Sequence, residues 1–98
     1  MARRKSAKDR LESELERQAM DYAVARGWFE VKLETCSKDG MPDRFLARKP
    51  EGVILIEMKR EVGGELSGAQ VRRHKELRNH GVTVYVIDSL EEAKSVLF

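Results

Sequence analysis

The sequence has few cysteines and histidines, the residues that form disulfides and bind structural metals in small extracellular proteins. Its one cysteine, Cys36, cannot form a disulfide within the chain, which excludes a disulfide-rich scaffold and favours a reducing cytosol. One cysteine and two histidines, His74 and His80, give no ligand pair at the spacing of a structural zinc site. Apolar runs such as residues 53–56 are far too short to span a membrane. No apolar stretch follows the basic N-terminus, which argues against a signal peptide.

Charge is abundant and almost balanced, but it is unevenly distributed. The 98 residues hold 19 basic and 17 acidic side chains, a formal net charge of +2. Residues 1–8 hold four bases and no acid, whereas residues 9–98 have a net charge of −2. We predict a flexible basic arm over residues 1–8 and a single domain over residues 9–98. The arm and the six bases within residues 59–78 predict a salt-dependent affinity for nucleic acid.

Hydrophobic spacing predicts three helices and four strands. The buried face of the first helix, over residues 9–26, is indicated by Leu11, Leu15, Ala19, Tyr22 and Ala23. Three capping boxes mark helix starts, namely Asp9–Glu12, Ser67–Gln70 and Ser89–Glu92. The predicted order is α-β-β-β-α-β-α, with strands at residues 28–34, 44–48, 53–59 and 82–87, and the later helices at residues 67–80 and 89–98.

Connection lengths predict the topology of the sheet. Short turns join the first three strands, which are expected to run antiparallel, whereas a crossover of about 20 residues with a helix suits a parallel last strand. Residues 53–56 are apolar on both faces, which places their strand in the centre of the sheet. Trp28 and Phe29 are expected to anchor the first strand in the core. The sequence thus predicts an α/β (α+β) fold with a mixed central sheet flanked by helices.

Three charged residues lie near one end of the predicted sheet. In a strand, residues i and i+2 share a face, so Glu57 and Lys59 project side by side. A hairpin turn at residues 49–52 places Asp43 opposite Met58, within about one residue of Glu57. Two carboxylates and an ammonium group are therefore expected to converge.

This combination suits the hydrolysis of a phosphodiester. Asp43 and Glu57 offer hard oxygen ligands for Mg²⁺ or Mn²⁺, and the carbonyl of Met58 is a further candidate ligand. A divalent cation lowers the pKa of a bound water and neutralises charge that develops on the phosphate. Lys59 could orient or deprotonate the water, or hold the phosphate. Taken singly, Asp43 also fits an acid in a turn, and Glu57 and Lys59 also fit an ion pair on the surface of a strand.

Four motifs in order carry a resemblance to a known family. They are Glu12 in the first helix, Gly40-Met41-Pro42-Asp43, Glu57-Met58-Lys59, and Gln70 at the start of the second helix. This pattern resembles the VRR-NUC family of the PD-(D/E)XK nuclease superfamily, which implies a restriction-endonuclease-like core and a metal-dependent DNA endonuclease. The resemblance implies that Asp43 and Glu57 hold the metal and that Lys59 positions the attacking water. Glu12 would complete the acidic cluster, and Gln70 would help to hold the phosphate.

Two of these residues have a second interpretation. Glu12 and Gln70 each occupy the third helical position of a capping box, and that role alone explains their presence. Glu14 and Glu16 are alternatives to Glu12 in the acidic cluster. Glu16 is the stronger of the two because it lies one helical turn from Glu12.

Other residues are assigned supporting roles. Gly40 and Pro42 are expected to shape the step that aims Asp43. His74 and His80 are interpreted as packing or surface residues. Candidates for phosphate contacts, each of which also fits a solvated surface charge, are Lys32, Lys38, Arg44, Arg60, Arg72, Arg73 and Lys75.

The resemblance also bears on substrate and assembly. A minimal domain of this kind is similar to phage-encoded members and, in motif order, to archaeal Holliday junction resolvases, which act as homodimers. The resemblance implies a homodimer that cuts four-way junctions or other branched DNA. Such an enzyme would act in the host cytoplasm and would not bind a membrane. The alternatives are a monomeric flap or nicking nuclease, a non-catalytic DNA-binding module, and a metal-dependent RNA nuclease. Without a helix-turn-helix or similar motif, DNA shape is expected to matter more than base sequence.

Overall fold

A computed structural model describes residues 7–59 and 64–98, with side chains from residue 13 onward in these ranges. The elements are α1 (Ala7–Ala25), β1 (Phe29–Lys32), β2 (Arg44–Arg48), β3 (Gly52–Met58), α2 (Gly68–Asn79), β4 (Val84–Ile87) and α3 (Leu90–Val96). This order confirms the predicted fold class. Most of the predicted arm, Arg60 and the side chain of Glu12 lie outside the described residues. None of the described helices is long and apolar enough to cross a membrane.

The four strands form one mixed sheet in the order β1-β2-β3-β4. β1 and β3 each pair with β2 in the antiparallel sense, and β4 pairs with β3 in the parallel sense, as the connection lengths predict. β3 is an interior strand, and its residues 54–58 are buried. This confirms the central position predicted from the apolar run at residues 53–56, which is typical of a strand that is covered on both faces.

The helices cover the two faces of the sheet unequally. α1 and α3 pack on the face that carries Leu46 of β2 and Ile56 of β3, and the buried cluster between them is Ala19, Met20, Ala23, Trp28, Leu46, Ile54, Ile56, Met58, Ile87, Ala93 and Leu97. α2 lies against β4 on the opposite face. Glu57 points to this second face because its neighbours Ile56 and Met58 point to the first. The fold therefore places α2 directly over Glu57.

Two predictions about helix starts are confirmed and one is wrong. Ser67 and Gln70 form the complete capping box of α2, and Ser89 accepts a hydrogen bond from the backbone N–H of Glu92 at the start of α3. α1 begins at Ala7, so Asp9 is a residue of the helix rather than its cap. Ala7 and Lys8 are good helix formers, so the helix starts before Asp9. Acids in the first turns of a helix also interact favourably with its dipole.

Phe29 does not anchor β1 in the core. Its side chain is 64% exposed, whereas the adjacent Trp28 is buried, as predicted. Consecutive residues of a strand face opposite sides, so the burial of Trp28 under α1 directs Phe29 to the other face. α2 packs over β4 at the far edge of the sheet and leaves that face of β1 open.

The hairpin between β2 and β3 differs from the predicted register by one residue. Arg48 pairs with Gly52, and Arg44 pairs with Ile56, so continuing the ladder brings Asp43 opposite Glu57 rather than Met58. Gly52 enters the ladder with a φ of 86°, a left-handed conformation that glycine adopts without a steric penalty. The turn is therefore one residue shorter than the sequence indicates, and the two carboxylates are closer.

Candidate active site

One end of the sheet brings Asp43, Glu57 and Lys59 together on the face covered by α2. Asp43 immediately precedes β2, and its carbonyl oxygen accepts a 2.7 Å hydrogen bond from the N–H of Leu33, which ties it to the end of β1. The carboxyl groups of Asp43 and Glu57 are within hydrogen-bonding reach of each other. The Nζ atom of Lys59 lies 3.9 Å from Oε2 of Glu57. The structure thus gathers the three residues around which the sequence predicts a site.

The turn before Asp43 docks on the N-terminus of α2. Gly40 has a φ of 74°, and a Cβ atom added there would collide with the carbonyl group of Ala69 in α2. Arg73 secures the same turn, because its Nε atom donates a 2.9 Å hydrogen bond to the carbonyl oxygen of Asp39. Pro42 is fully buried. Only glycine fits the close approach at position 40, which is consistent with the backbone role expected for this step.

Glu57 is a buried acid with too little positive charge around it. Its relative exposure is 1%. Burial, with the neighbouring Asp43 as the second cause, raises the pKa of Glu57 to about 9, and Lys59 acts in the opposite direction. Without an additional cation, the Glu57 carboxyl group is therefore protonated at neutral pH.

Gln70 holds Glu57 and caps α2 at the same time. Its Nε2 atom donates to Oε1 of Glu57 at 3.0 Å, while its Oε1 atom accepts from the backbone N–H of Ser67 at 2.9 Å. The hydroxyl of Ser67 in turn accepts from the N–H of Gln70 at 3.1 Å. Gln70 can therefore cap the helix and contact the site residue Glu57 in the same conformation.

His74 lies beside Glu57, where the sequence predicted a packing or surface residue. It is 1% exposed, one turn after Gln70 on α2, with Nε2 3.7 Å from Oε1 of Glu57. Burial lowers the pKa of His74, and the positive charges of Arg78 and Lys59 add to this effect, so the ring is neutral. The four-residue spacing from Gln70 was the one sequence signal for this position, and it acquires meaning only once α2 is known to cover Glu57.

The carbonyl group of Met58 faces the same end of the sheet. The N–H groups of Leu55 and Lys59 donate on the β4 side of β3, and backbone groups alternate in direction along a strand. Met58 therefore directs its carbonyl toward the β2 side. The ladder between β2 and β3 ends at Ile56, so this oxygen lies beyond the last pair, in the direction of Asp43.

The carboxylates of α1 differ in their surroundings. Glu14 is exposed and pairs with Arg17 on its own helix. Glu16 accepts a 2.7 Å hydrogen bond from Nε of Arg44, the residue after Asp43, and its charge makes a small contribution to the raised pKa of Glu57. Glu12 is one turn earlier on the same side of α1. Of the two described alternatives to Glu12, Glu16 is the one whose charge acts on Glu57.

The basic residues predicted to contact phosphates fall into two groups. Arg44 is clamped between Glu16 and Glu30, and Arg73 between Asp39 and Glu76, so their charges are compensated within the protein. Lys38 is exposed and 3.9 Å from Glu76. Of the residues predicted to contact phosphates, Lys32, Arg72 and Lys75 are exposed and have no ion pair to another described residue.

Comparison with known proteins decides the family. The model of the VRR-NUC domain matches residues 4–91. The chain belongs to the VRR-NUC family. Among solved structures, a chain described as a VRR_NUC domain matches with a TM-score of 0.78 and 22% identity, over 87% of this chain and 91% of that chain, which shows a shared fold. No curated protein matches the sequence.

Membership of the VRR-NUC family gives the site its chemical context. The family implies a nuclease of the PD-(D/E)XK type, with DNA as the substrate. In this VRR-NUC domain, the four resembling motifs occupy the expected elements, since Glu12 is in α1, Asp43 precedes β2, Glu57 ends β3, and Gln70 opens α2. Function depends on the site rather than on the fold, so the arrangement of these side chains carries the mechanistic question.

The VRR-NUC site fits a divalent cation. Asp43 and Glu57 are in contact, and Glu57 is buried, so two ionised carboxylates would repel each other unless a proton or a cation lies between them. The raised pKa of Glu57 is consistent with this lack of positive charge. Among the described residues, no three acidic, histidine or cysteine side chains are grouped so that they could hold a metal ion by themselves. Asp43, Glu57 and the carbonyl of Met58 instead form a partial set of hard oxygen ligands. Mg²⁺ commonly binds to such sets, with water and phosphate oxygens as the remaining ligands.

Proposed function

We propose that this VRR-NUC domain is an Mg²⁺- or Mn²⁺-dependent DNA endonuclease that acts on branched DNA as a homodimer. The observation that carries the proposal is the contact between the carboxyl groups of Asp43 and buried Glu57, with Lys59 3.9 Å from Glu57 on the same face. Acids in such contact favour a cation, and an adjacent lysine favours a phosphate. DNA supplies the phosphate next to the cation.

Asp43, Glu57 and the carbonyl oxygen of Met58 are the proposed metal ligands. When bound, a divalent cation acts as a Lewis acid toward the phosphate and lowers the pKa of water. Gln70 keeps Glu57 in place through Oε1, so its other oxygen, Oε2, remains directed to Lys59 and the open end of the site. Glu12 is proposed to complete the acidic cluster, with Glu16 as the alternative.

Lys59 is the residue proposed to act on the attacking water. Its side chain is only 16% exposed, and its ammonium group is directed at Oε2 of Glu57. From this position it donates a hydrogen bond to the water or to a phosphate oxygen and orients the reactants for in-line attack. The water oxygen bonds to phosphorus as the bond from phosphorus to the leaving sugar oxygen breaks. The water gives up one proton and the leaving oxygen takes one up, so the products are a phosphate monoester and a sugar hydroxyl.

Exposed bases around the site are proposed to hold the DNA backbone. Lys32 at the end of β1 and Arg72 and Lys75 on α2 are exposed. Lys38 and Arg60 are further candidates from the sequence, whereas Arg44 and Arg73 serve the protein's own ion pairs. Contacts of this kind recognise the path of the phosphates rather than the bases, which suits a structure-selective enzyme.

The preference for branched DNA and the dimer are proposed from the resemblance in motif order to Holliday junction resolvases. A two-fold dimer presents two equivalent sites to a four-way junction, and symmetric cuts then release two nicked duplexes. The dimer is tested by light scattering, with twice the 11.2 kDa of one chain as the expected mass. A monomer that still cuts junctions symmetrically would exclude the two-site mechanism.

The nuclease is tested on a panel of synthetic substrates. We would incubate the protein with a four-way junction, a flap, nicked and linear duplexes, and single-stranded RNA, each with Mg²⁺, Mn²⁺ or EDTA. Cleavage of the junction with either cation and none with EDTA is expected. Lys59→Ala should abolish cleavage, while Lys94→Ala, which removes an exposed lysine of α3, should not.

Other results of this panel replace the proposal with a defined alternative. Cleavage restricted to flaps or nicked duplex indicates a monomeric flap or nicking nuclease, and cleavage of RNA alone indicates an RNA nuclease. Binding of the junction without cleavage under any condition indicates a non-catalytic DNA-binding module.

A further inference from the structure

His74 is a buried histidine of α2 beside the candidate site. Both ring nitrogens lack a hydrogen-bond partner in the part of the chain that the structure describes, and the side chain is 1% exposed. Burying an unpaired polar group destabilises the folded state, and an apolar side chain of similar size would avoid this cost. The presence of imidazole at this position therefore points to a role outside packing.

The ring is directed at the carboxyl group at the centre of the site. Its Nε2 atom is 3.7 Å from Oε1 of Glu57, the oxygen that accepts a 3.0 Å hydrogen bond from Gln70. Gln70 and His74 are four residues apart on α2 and lie above one another on the same face. Two nitrogens of one helix thus converge on Oε1, while Oε2 faces Lys59 on the opposite side.

The ring can reach Glu57 with a small movement. A neutral imidazole with its proton on Nε2 is a donor, and an approach of about 0.7 Å would convert the contact into a normal hydrogen bond. A side chain that fixes one oxygen of a metal ligand makes the other available in a defined direction.

We propose that His74 is a positioning residue that donates from Nε2 to Oε1 of Glu57, beside Gln70, and thereby directs Oε2 to the cation. This role rests on the proposed function, because it acts through a metal ligand. His74 itself does not contact the metal or the DNA. Its loss should weaken the binding of the cation and slow the chemical step, with little effect on the KM for DNA.

The test uses Mn²⁺ binding to the DNA-free protein, measured by electron paramagnetic resonance, together with single-turnover cleavage and thermal unfolding. His74→Leu removes both nitrogens. His74→Gln retains an N–H group at a reach similar to that of Nε2, whereas His74→Asn carries the same amide on a shorter side chain. We expect His74→Leu and His74→Asn to weaken Mn²⁺ binding by about tenfold, and His74→Gln to remain within about threefold of the unchanged protein.

Thermal unfolding separates positioning from packing. The metal-free His74→Leu variant should unfold at or above the temperature of the unchanged protein, because it replaces an unpaired polar group with an apolar one. If His74→Leu does not fold, the ratio of Mn²⁺ affinities between His74→Gln and His74→Asn carries the same information. Equal Mn²⁺ affinity in these two variants would overturn the role proposed for His74.

Failure of this role can be told apart from failure of the nuclease proposal. If the unchanged protein binds Mn²⁺ and cuts DNA and His74→Leu does so equally well, His74 is not a positioning residue and the nuclease stands. If the unchanged protein neither binds Mn²⁺ nor cuts any substrate, the proposed function fails first and the role of His74 fails with it.

Discussion

Gln70 donates a 3.0 Å hydrogen bond to Oε1 of Glu57 with the same amide group whose oxygen caps α2. The start of the helix and the orientation of the buried acid are therefore set by one side chain. Because the oxygen of the amide is held by the N–H of Ser67, its nitrogen must face Glu57. The cap thus determines the direction of the hydrogen bond at the candidate site.

The two roles of Gln70 can be separated by substitution. Ser67→Ala removes the hydroxyl of the capping box and should cost about 1 kcal/mol of stability, with cleavage near that of the unchanged protein. Gln70→Ala should cost a similar stability and also slow cleavage at least about tenfold, because Glu57 loses its donor. Thermal unfolding and single-turnover rates on the same junction measure both effects. Equal rates for the two variants would show that Gln70 is only a cap.

The raised pKa of Glu57 predicts an unusual pH dependence of stability in the metal-free protein. Between the unfolded pKa of about 4.5 and the folded value of about 9, the folded state binds the extra proton. Stability should therefore fall as pH rises through this window, by at most about 1.4 kcal/mol per pH unit. Glu57→Gln should flatten the curve, measured by urea unfolding in EDTA at pH 5 to 9.

Glu92 provides the control for this experiment. Partial burial and the adjacent Asp88 also raise the pKa of Glu92, at a position in α3. Glu92→Gln should leave most of the slope in place. If Glu92→Gln flattens the curve and Glu57→Gln does not, the buried acid pair is not the source of the effect.

The centre of the site was predictable from the sequence because strand geometry is regular. A period of two places Glu57 and Lys59 on one face, and a short hairpin brings Asp43 to the same end of the sheet. The exact partner of Asp43 was not predictable, because it depends on whether Gly52 belongs to the turn or to the ladder. The left-handed conformation of Gly52 decides this, and the hydrophobic pattern of the sequence does not predict that conformation.

The turn that carries Asp43 should tolerate no side chain at position 40. Gly40→Ala places a Cβ atom against the carbonyl of Ala69 and should displace the turn from α2. Gly81→Ala is the matched control, since Gly81 also has a positive φ, 85°, but nothing lies within 4 Å of an added Cβ. Both should lose about 1–2 kcal/mol from the strained conformation, and only Gly40→Ala should lose cleavage. Cleavage by Gly40→Ala at the rate of Gly81→Ala would contradict this account of the turn.

Adjacent arginines on α2 should behave differently. Arg72 is exposed and has no ion pair to another described residue, whereas Arg73 holds Asp39 and Glu76. Arg72→Gln should weaken DNA binding and lower the slope of log affinity against log salt by about 1, with no change in stability. Arg73→Gln should lower the unfolding temperature. Fluorescence anisotropy at several salt concentrations and thermal unfolding provide the two readouts, and the reverse ranking would reject these assignments.

The sequence could not separate these basic residues because each ion pair joins distant parts of the chain. Arg44 meets Glu16 of α1 and Glu30 of β1, and nothing in the local pattern around Arg44 indicates either partner. The position of His74 beside Glu57 was not predictable for a related reason. Its spacing from Gln70 is visible in the sequence, but the acid it approaches is on another element, 17 positions away in the numbering. Local patterns predicted the elements, and tertiary packing decided which charges remain available.

The most direct test of the central claim compares Asp43→Asn with Asp39→Asn, two isosteric changes in the same segment. Only Asp43 is in contact with Glu57, whereas Asp39 is exposed and pairs with Arg73. Single-turnover cleavage of a four-way junction would be measured in Mn²⁺, with EDTA as the blank. We expect Asp43→Asn to fold normally and to lose cleavage by at least about a thousandfold, while Asp39→Asn cuts within a few-fold of the unchanged protein. Normal cleavage by Asp43→Asn, or cleavage in EDTA, would contradict a cation-dependent site built on Asp43 and Glu57.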